Sequence, residues 1–230
     1  MRIVGVRRHA ATGVVLALLV GTAVAFAETE RLKLQPTPIE ESFIQHAFSP
    51  NCRCAQAQAQ IRLRLHRADT ATVRIRNASD GTVRVLVDRR RLPRGRTSLE
   101  WDGRDDGGTP APDGLYHVDV RLSHADRTFR LPQSVVLDTV APTVRLVSFS
   151  DTVRVGERVR IRYRVSEAAH AVLYVNGKRR LLTHTKLRAA KLQWRPRHAG
   201  RYRLQLAAVD LAGNLGRRSP VFVVQVTSSA

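Results

Sequence analysis

The densest group of carboxylates in the chain lies in one short, glycine-rich stretch. Asp102, Asp105, Asp106 and Asp113 all fall within residues 101–116. Oxygen ligands on a flexible loop suit a hard cation, so Asp102, Asp105 and Asp106 are candidate calcium ligands. The competing interpretation, which we favour, is that Asp102 accepts a hydrogen bond from nearby backbone and shapes a turn. We expect no bound metal and no cofactor.

The two cysteines of the chain, Cys52 and Cys54, are separated by a single arginine. Outside the cytoplasm two thiols tend to oxidise, so a local disulfide is the first expectation. A ring closed across one residue is small, strained and more reducible than most. A bridge to a partner chain, free thiols and a metal or redox role are the alternatives, although two cysteines cannot complete a tetrahedral zinc site alone.

No motif for catalysis is present in the sequence. It has no Gly-x-Ser-x-Gly, no His-Glu-x-x-His and no phosphate-binding glycine loop. The histidines are scattered, and His170, His184 and His198 fall at expected turns or strand edges. Nothing around the acidic stretch suggests a substrate cleft. The sequence therefore predicts a protein that is not an enzyme.

The elements that would position these residues are β-strands. Apolar and basic residues alternate in Ile61–Leu65, and the pattern recurs in Thr72–Arg76 and Thr82–Val87. Alternation with a period of two is typical of a strand with one buried face. Further strands are predicted to end at Trp101 and to cover Arg127–Leu137.

The acidic stretch is predicted to be the turn of a β-hairpin. Glycine, aspartate and proline bend the chain between an apolar run ending at Trp101 and another that begins with Leu115 and Tyr116. The two rings would then meet across the strand pair. Because a buried tryptophan contributes about 3–5 kcal/mol relative to alanine, we expect this hairpin to lie at the centre of one domain.

These residues resemble a known family. Trp101-Asp102-Gly103-Arg104-Asp105-Asp106-Gly107-Gly108, then Pro110 and Asp113-Gly114-Leu115-Tyr116, are similar to the signature of the Ig-like domain of the flagellar hook-capping protein. The resemblance extends from Phe48 to Asp138 and implies a β-sandwich. It implies little about function, since the domain type recurs in exported bacterial proteins. Such domains often carry Asn-Gly-Asp-Gly near position 51, whereas this chain has Asn-Cys-Arg-Cys and lacks that carboxylate.

The pattern repeats in the second half of the chain. Leu192-Gln193-Trp194 echoes Leu99–Trp101, and Gly200-Arg201-Tyr202 echoes Gly114–Tyr116, with a shorter gap between Trp194 and Tyr202. The linker Asp138–Thr143 resembles junctions between tandem bacterial Ig-like modules. We predict an all-β protein of two tandem Ig-like sandwiches, over residues 48–140 and 141–230.

The alternation also predicts which side chains are buried. We expect these residues to face the two cores: Leu63, Val73, Ile75, Val85, Trp101, Tyr116, Val118, Val159, Ile161, Tyr163, Leu173, Trp194, Tyr202, Leu204 and Leu206. Arginines on the same strands should face water, where they also discourage aggregation between strands. They are Arg62, Arg64, Arg74, Arg160, Arg162, Arg201 and Arg203.

The N-terminus is predicted to be a targeting segment. Residues 1–30 combine early arginines with an uncharged run from Ala10 to Ala27. As a helix this run would span ~27 Å, close to the ~30 Å hydrocarbon core. We favour an uncleaved anchor with the C-terminal domains outside the cell membrane, while a cleaved signal peptide and a secreted protein are the alternative. Residues 31–47 would form a juxtamembrane stalk, with room for a helical turn near Ile39–Ile44.

The chain carries a formal net charge of +20. The charge has two interpretations: solvation of strand faces, or binding of an anionic envelope polymer. We do not expect nucleic acid as a partner, because aromatics are few and arginine is spread over the strands. We expect a membrane-tethered extracytoplasmic protein for adhesion, envelope scaffolding or contact with an envelope protein. Polyanion binding and an accessory role for a separate envelope enzyme are the alternatives.

Overall fold

The computed structural model describes residues 16–26, 37–183 and 188–228. Residues 16–26 form a helix, α1, so the predicted targeting segment lies partly outside the described residues. Within the part that is described, no helix has the length and apolar character needed to span a membrane.

The first sandwich consists of two sheets. Its strands are β1 (Ile39–Ile44), β2 (Ala47–Phe48), β3 (Ala59–Leu65), β4 (Asp69–Asn77), β5 (Thr82–Leu92), β6 (Gly95–Trp101), β7 (Gly114–Leu122) and β8 (Arg127–Leu137). One sheet has the order β1-β3-β6 and the other has the order β2-β8-β7-β4-β5. All neighbours are antiparallel except β2 and β8.

The second sandwich repeats this plan. Its strands are β9 (Val144–Phe149), β10 (Thr152–Arg154), β11 (Val159–Val165), β12 (His170–Val175), β13 (Lys178–Leu182), β14 (Ala189–Trp194), β15 (Gly200–Val209) and β16 (Phe222–Thr227). The sheets have the orders β14-β11-β9 and β10-β16-β15-β12-β13. The all-β architecture of two sandwiches agrees with the prediction.

The period of two decides which side chains enter each core. Buried and exposed residues alternate along β3 and β11, because successive side chains of a strand point to opposite faces. Most predicted core residues are buried, and Trp194 and Tyr202 are half-buried against the second core. Val85 is only half-buried, because bulges between β4 and β5 interrupt the alternation and place Val87 in the core instead.

The predicted hairpin is wrong. β6 pairs with β3, whereas β7 pairs with β4 and β8 in the opposite sheet. The connection over residues 102–113 therefore crosses from one sheet to the other. Trp101 and Tyr116 meet across the core, edge to face, with ring centroids 4.8 Å apart.

The predicted helical turn near Ile39–Ile44 is also wrong. This segment is β1, an edge strand antiparallel to β3. Ile44 is buried and Ile39 packs against the same core, so burial of these side chains favours the strand. Ala47–Phe48 then joins the other sheet beside β8. The first sandwich thus includes residues that the sequence analysis assigned to the stalk.

Candidate functional site at the junction of the sandwiches

The acidic stretch is a folded loop held by its own carboxylates. Asp102 Oδ1 accepts a hydrogen bond from the Arg104 backbone N–H at 3.0 Å. Asp105 Oδ1 accepts from Thr109 N–H at 2.8 Å. Because each candidate calcium ligand serves a separate backbone donor, these carboxylates act as turn-forming groups.

Asp106 connects this loop to a sheet edge. Its Oδ1 accepts from Val85 N–H at 2.9 Å, and its own N–H donates to the Val83 carbonyl at 3.1 Å. The first half of edge strand β5 is thereby covered by the loop, which is one way to block pairing with other chains.

The remaining signature residues have structural positions. Trp101 Nε1–H donates to the Arg104 carbonyl at 2.8 Å, so the loop closes over the indole. Gly103 has φ of 78°, and a Cβ there would lie 2.7 Å from Pro50 Cγ. Only glycine suits both conditions.

The junction between the sandwiches is built around one asparagine. Asn214 Nδ2 donates to the Asp138 carbonyl at 2.8 Å and to Asp210 Oδ2 at 2.9 Å. Its backbone N–H donates to Asp210 Oδ1 at 2.9 Å. Since Asp138 begins the linker and Asp210 belongs to the second sandwich, this network joins the linker to the loop after β15.

Two glycines of that loop allow close approach. A Cβ at Gly216 would lie 1.8 Å from the Pro142 carbonyl oxygen in the linker. A Cβ at Gly213 would lie 2.4 Å from Cys54 Sγ in the first sandwich. Cys52 and Cys54 form a disulfide with Cα atoms 5.2 Å apart, and this bridge packs against the second sandwich at Gly213.

Three carboxylates converge beside the linker. Oxygen atoms of Asp138, Glu167 and Asp210 lie within 4.8 Å of one another. Burial raises the pKa of Glu167, and the charges of Asp138 and Asp210 raise it further, while Arg188 acts in the opposite direction. Carboxylate oxygens so arranged have the chemistry to hold a hard divalent cation.

Sequence reasoning missed this convergence because its members lie on three separate segments. The available signal was the pairing of the Asp138–Thr143 linker with the Asp210–Asn214 turn, both of which resemble parts of tandem Ig-like modules. Glu167 lies between β11 and β12, and only the folded structure brings it close to the other two carboxylates.

A cavity of about 490 Å³ lies at the same junction. Val172, Val209 and Leu215 contribute apolar surface, and Arg53 and Arg179 contribute positive charge. The residues described in its lining include neither histidine nor carboxylate, the usual general bases. Its composition suits contact with another surface.

Two of the histidines singled out by the sequence, His170 and His198, are described, and each makes a hydrogen bond to or through a main-chain carbonyl. His170 Nδ1 donates to the Thr183 carbonyl at 2.6 Å. The His198 carbonyl accepts from the Tyr202 hydroxyl at 3.0 Å. His184 lies outside the described residues.

The first sandwich has two packed sheets with this strand order, and Trp101 contacts Tyr116 in the core between them. These features define it as an Ig-like module. Residues 49–126 match the model of the FlgD Ig-like domain.

Solved structures with a similar fold include the fibronectin(III)-like modules of Clostridium thermocellum CbhA, at 15% identity over 82% of this chain and 95% of that chain, with a TM-score of 0.47. The FN1-FN3 domains of chicken CNTN1 align at 14% identity over 80% of this chain and 66% of that chain, with a TM-score of 0.44. No curated protein sequence matches the chain.

Proposed function

We propose that this chain is a non-enzymatic, exported protein whose two Ig-like sandwiches, held in fixed relative positions, form a scaffold for contact with an envelope protein. The observation that carries the proposal is the junction. Asn214 joins the linker to the Asp210 loop by hydrogen bonds. Gly213 lets the disulfide of the first sandwich approach this loop closely, and Gly216 does the same for the linker. Such contacts favour one relative orientation of the sandwiches, which a scaffold requires.

Export and membrane tethering are part of this proposal. The Cys52–Cys54 disulfide supports it, because disulfides persist in oxidising compartments. The basic start and uncharged run of residues 1–30 support an anchor. Protease added to spheroplasts should remove a C-terminal tag, and a tag protected until the spheroplasts are lysed would contradict export.

The junction cavity is the proposed point of contact. Leu215 lines it and is 55% exposed. A photoreactive residue at position 215 should crosslink to an envelope protein in intact cells. Val147, 51% exposed on the sheet of β9, is the control position and should give no such product. Equal products at both positions, or none at either, would overturn this assignment. Identification of the product would also separate a scaffold from an accessory module of an envelope enzyme.

A second candidate function is electrostatic binding of an anionic envelope polymer by the outer face of the sheet β14-β11-β9. In this sheet Arg162 lies opposite Lys191, and Arg164 lies opposite Arg145. Like charges directly opposite each other destabilise a sheet by up to about 1 kcal/mol per pair. Among the described residues these four side chains form no ion pair, so they present uncompensated charge.

On the equivalent face of the first sandwich, Arg64 and Arg62 have partners. Arg64 contacts Glu40 and Glu41 at 2.9 and 3.4 Å, and Arg62 stacks on Phe43 at 4.2 Å from the ring centroid. Retention on a polyphosphate matrix should therefore fall more for R162Q/R164Q than for R62Q/R64Q. It should also weaken steeply with salt, and equal losses in the two variants would exclude a specific face.

A further inference from the structure

A second cavity, of about 620 Å³, opens in the second sandwich. Its lining includes four cations, Lys178, Arg180, Arg195 and Arg197, and two rings, Trp194 and Tyr202. Trp194 pairs with Val159 at one end of β11, whereas the linker meets the other end at Val165. The cavity is therefore separate from the junction and remote from the linker.

Comparison of the two sandwiches explains why this cavity exists. In the first, the long connection over residues 102–113 closes over Trp101, which is 1% exposed and donates its Nε1–H to Arg104. In the second, residues 195–199 replace that connection, and Trp194 is half-buried. Within the described part of the chain, the Trp194 Nε1–H has no hydrogen-bond partner. The shorter loop thus leaves part of the indole, including this donor, accessible.

The loops also differ in charge. The connection in the first sandwich contains four aspartates, whereas residues 195–199 contain Arg195 and Arg197 and no carboxylate. Among the described residues that line the cavity there is no carboxylate. Residues 141–230 hold eighteen of the chain's Lys and Arg residues and only four Asp and Glu, a formal charge of +14 out of +20. A concave site in such a domain concentrates anions.

We propose that this cavity binds a saccharide unit that carries a carboxylate. Guanidinium groups form paired hydrogen bonds with carboxylates. The cavity has three guanidinium groups, those of Arg180, Arg195 and Arg197. The electron-rich face of an indole attracts the partly positive C–H groups of a sugar ring, and Trp194 also offers its free N–H. Trp194 and Tyr202 contact each other edge to face, with centroids 5.0 Å apart. They therefore provide no row of parallel platforms for successive bases, which disfavours a nucleic acid.

This site goes beyond the proposed scaffold, and it shares no residue with the junction cavity or with the charged face of β9, β11 and β14. Failure of either earlier proposal would leave it standing. The full chain provides its own probe, because it has two tryptophans and only Trp194 lines this cavity. Titration with a galacturonate tetrasaccharide should give a saturable change in tryptophan fluorescence that W194F abolishes.

Matched variants test the cations. R195S/R197S should weaken binding of the tetrasaccharide about tenfold or more, since hydrogen bonds between charged groups are lost. R90S/R91S removes the same charge from the exposed part of β5 and should change affinity less than about twofold. Equal weakening by both variants would overturn the proposal, because it would show general charge attraction. Circular dichroism checks folding, and K178S/R180S replaces R195S/R197S if that variant is unfolded.

The ligand class is tested with two further probes. A neutral glucose tetrasaccharide should bind at least about tenfold more weakly than the galacturonate form, and equal affinity would contradict recognition of the carboxylate. A DNA tetranucleotide that binds more tightly and changes Trp194 fluorescence would overturn the saccharide in favour of nucleic acid.

Discussion

Gly213 and Gly216 occupy positions where a side chain would collide with other parts of the junction. At Gly213 the neighbour is Cys54 Sγ, and the backbone φ of 93° is itself unfavourable for other residues. At Gly216 the neighbour is the Pro142 carbonyl oxygen, which cannot move without shifting the linker. At this scale, the contact between the sandwiches depends on missing side chains as much as on the Asn214 hydrogen bonds.

Gly216→Ala should loosen the junction. Overpacking of a close contact costs about 1–3 kcal/mol, and here the obstacle is backbone 1.8 Å from the new Cβ. We expect a loss of this size in the urea unfolding of the second sandwich, followed by Trp194 fluorescence. Gly107→Ala is the control, because its Cβ would meet no backbone atom and only the side-chain Asp105 Oδ1, at 3.3 Å. Equal stability of the two variants would show that the linker relaxes at no cost.

We expect Glu167 to make the stability of the junction depend on pH. Burial and the charges of Asp138 and Asp210 raise its pKa above the ordinary 4.5. The folded state therefore binds more protons than the unfolded state in the window above 4.5, so this group lowers stability as the pH rises through that window. Glu167→Gln should raise the free energy of unfolding at pH 7, with EDTA present, and the gain should disappear below about pH 4. A gain of the same size at both pH values would contradict an electrostatic origin.

At the scale of elements, the acidic loop and the strand that it covers form one unit. Arg84 Nη1 donates to the Asp105 carbonyl at 2.6 Å, and Asp106 bonds both Val83 and Val85. The aspartates of this signature therefore fasten a crossing between two sheets to the edge of β5. These hydrogen bonds give the clustered aspartates a structural role.

Asp106→Ala should weaken that attachment. Loss of a hydrogen bond to backbone costs about 0.5–1.5 kcal/mol, and we expect this decrease in urea unfolding of the first sandwich. Asp88→Ala on the same strand is the control, since Asp88 is exposed and lies 3.9 Å from Arg89, a contact of little value. If calcium instead stabilised the wild type but not Asp106→Ala, the carboxylate would be a ligand.

The sequence predicts the strands themselves better than it predicts their pairing. Alternation along Ile61–Leu65 and Arg160–Val165 reflects a local property, the two faces of a strand, and the structure agrees. Which strands pair depends on distant residues, and so the local pattern after Trp101 predicts a hairpin where the chain crosses between sheets. The meeting of Asp138, Glu167 and Asp210 depends on the placement of whole sandwiches, which no local pattern encodes. The cavity beside Trp194 is formed by residues from separate segments of the second sandwich, so no local pattern predicts it.

At the scale of the whole molecule, the sandwiches have different characters. The first pairs several of its arginines with carboxylates and covers its tryptophan. In the second, Arg145, Arg162 and Arg164 form no ion pair among the described residues, and Trp194 is half-buried. The junction between them includes the disulfide, which closes a loop in the first sandwich and contacts Gly213 of the second. The bridge therefore contributes to the relative position of the sandwiches as well as to the stability of one.

Replacement of both cysteines by serine should separate these two contributions. A loop of only a few residues is worth about 1.6 kcal/mol in the chain-entropy model, so C52S/C54S should unfold with a modest loss in urea. Its contact with Gly213 should be lost as well, and thermolysin should cleave the linker Asp138–Thr143 faster, next to Val140, which is 64% exposed. Arg53→Ser keeps the bridge and should be cleaved at the wild-type rate. If C52S/C54S is cleaved no faster than Arg53→Ser, the disulfide stabilises its own loop alone and the position of the sandwiches depends on Asn214 and the two glycines.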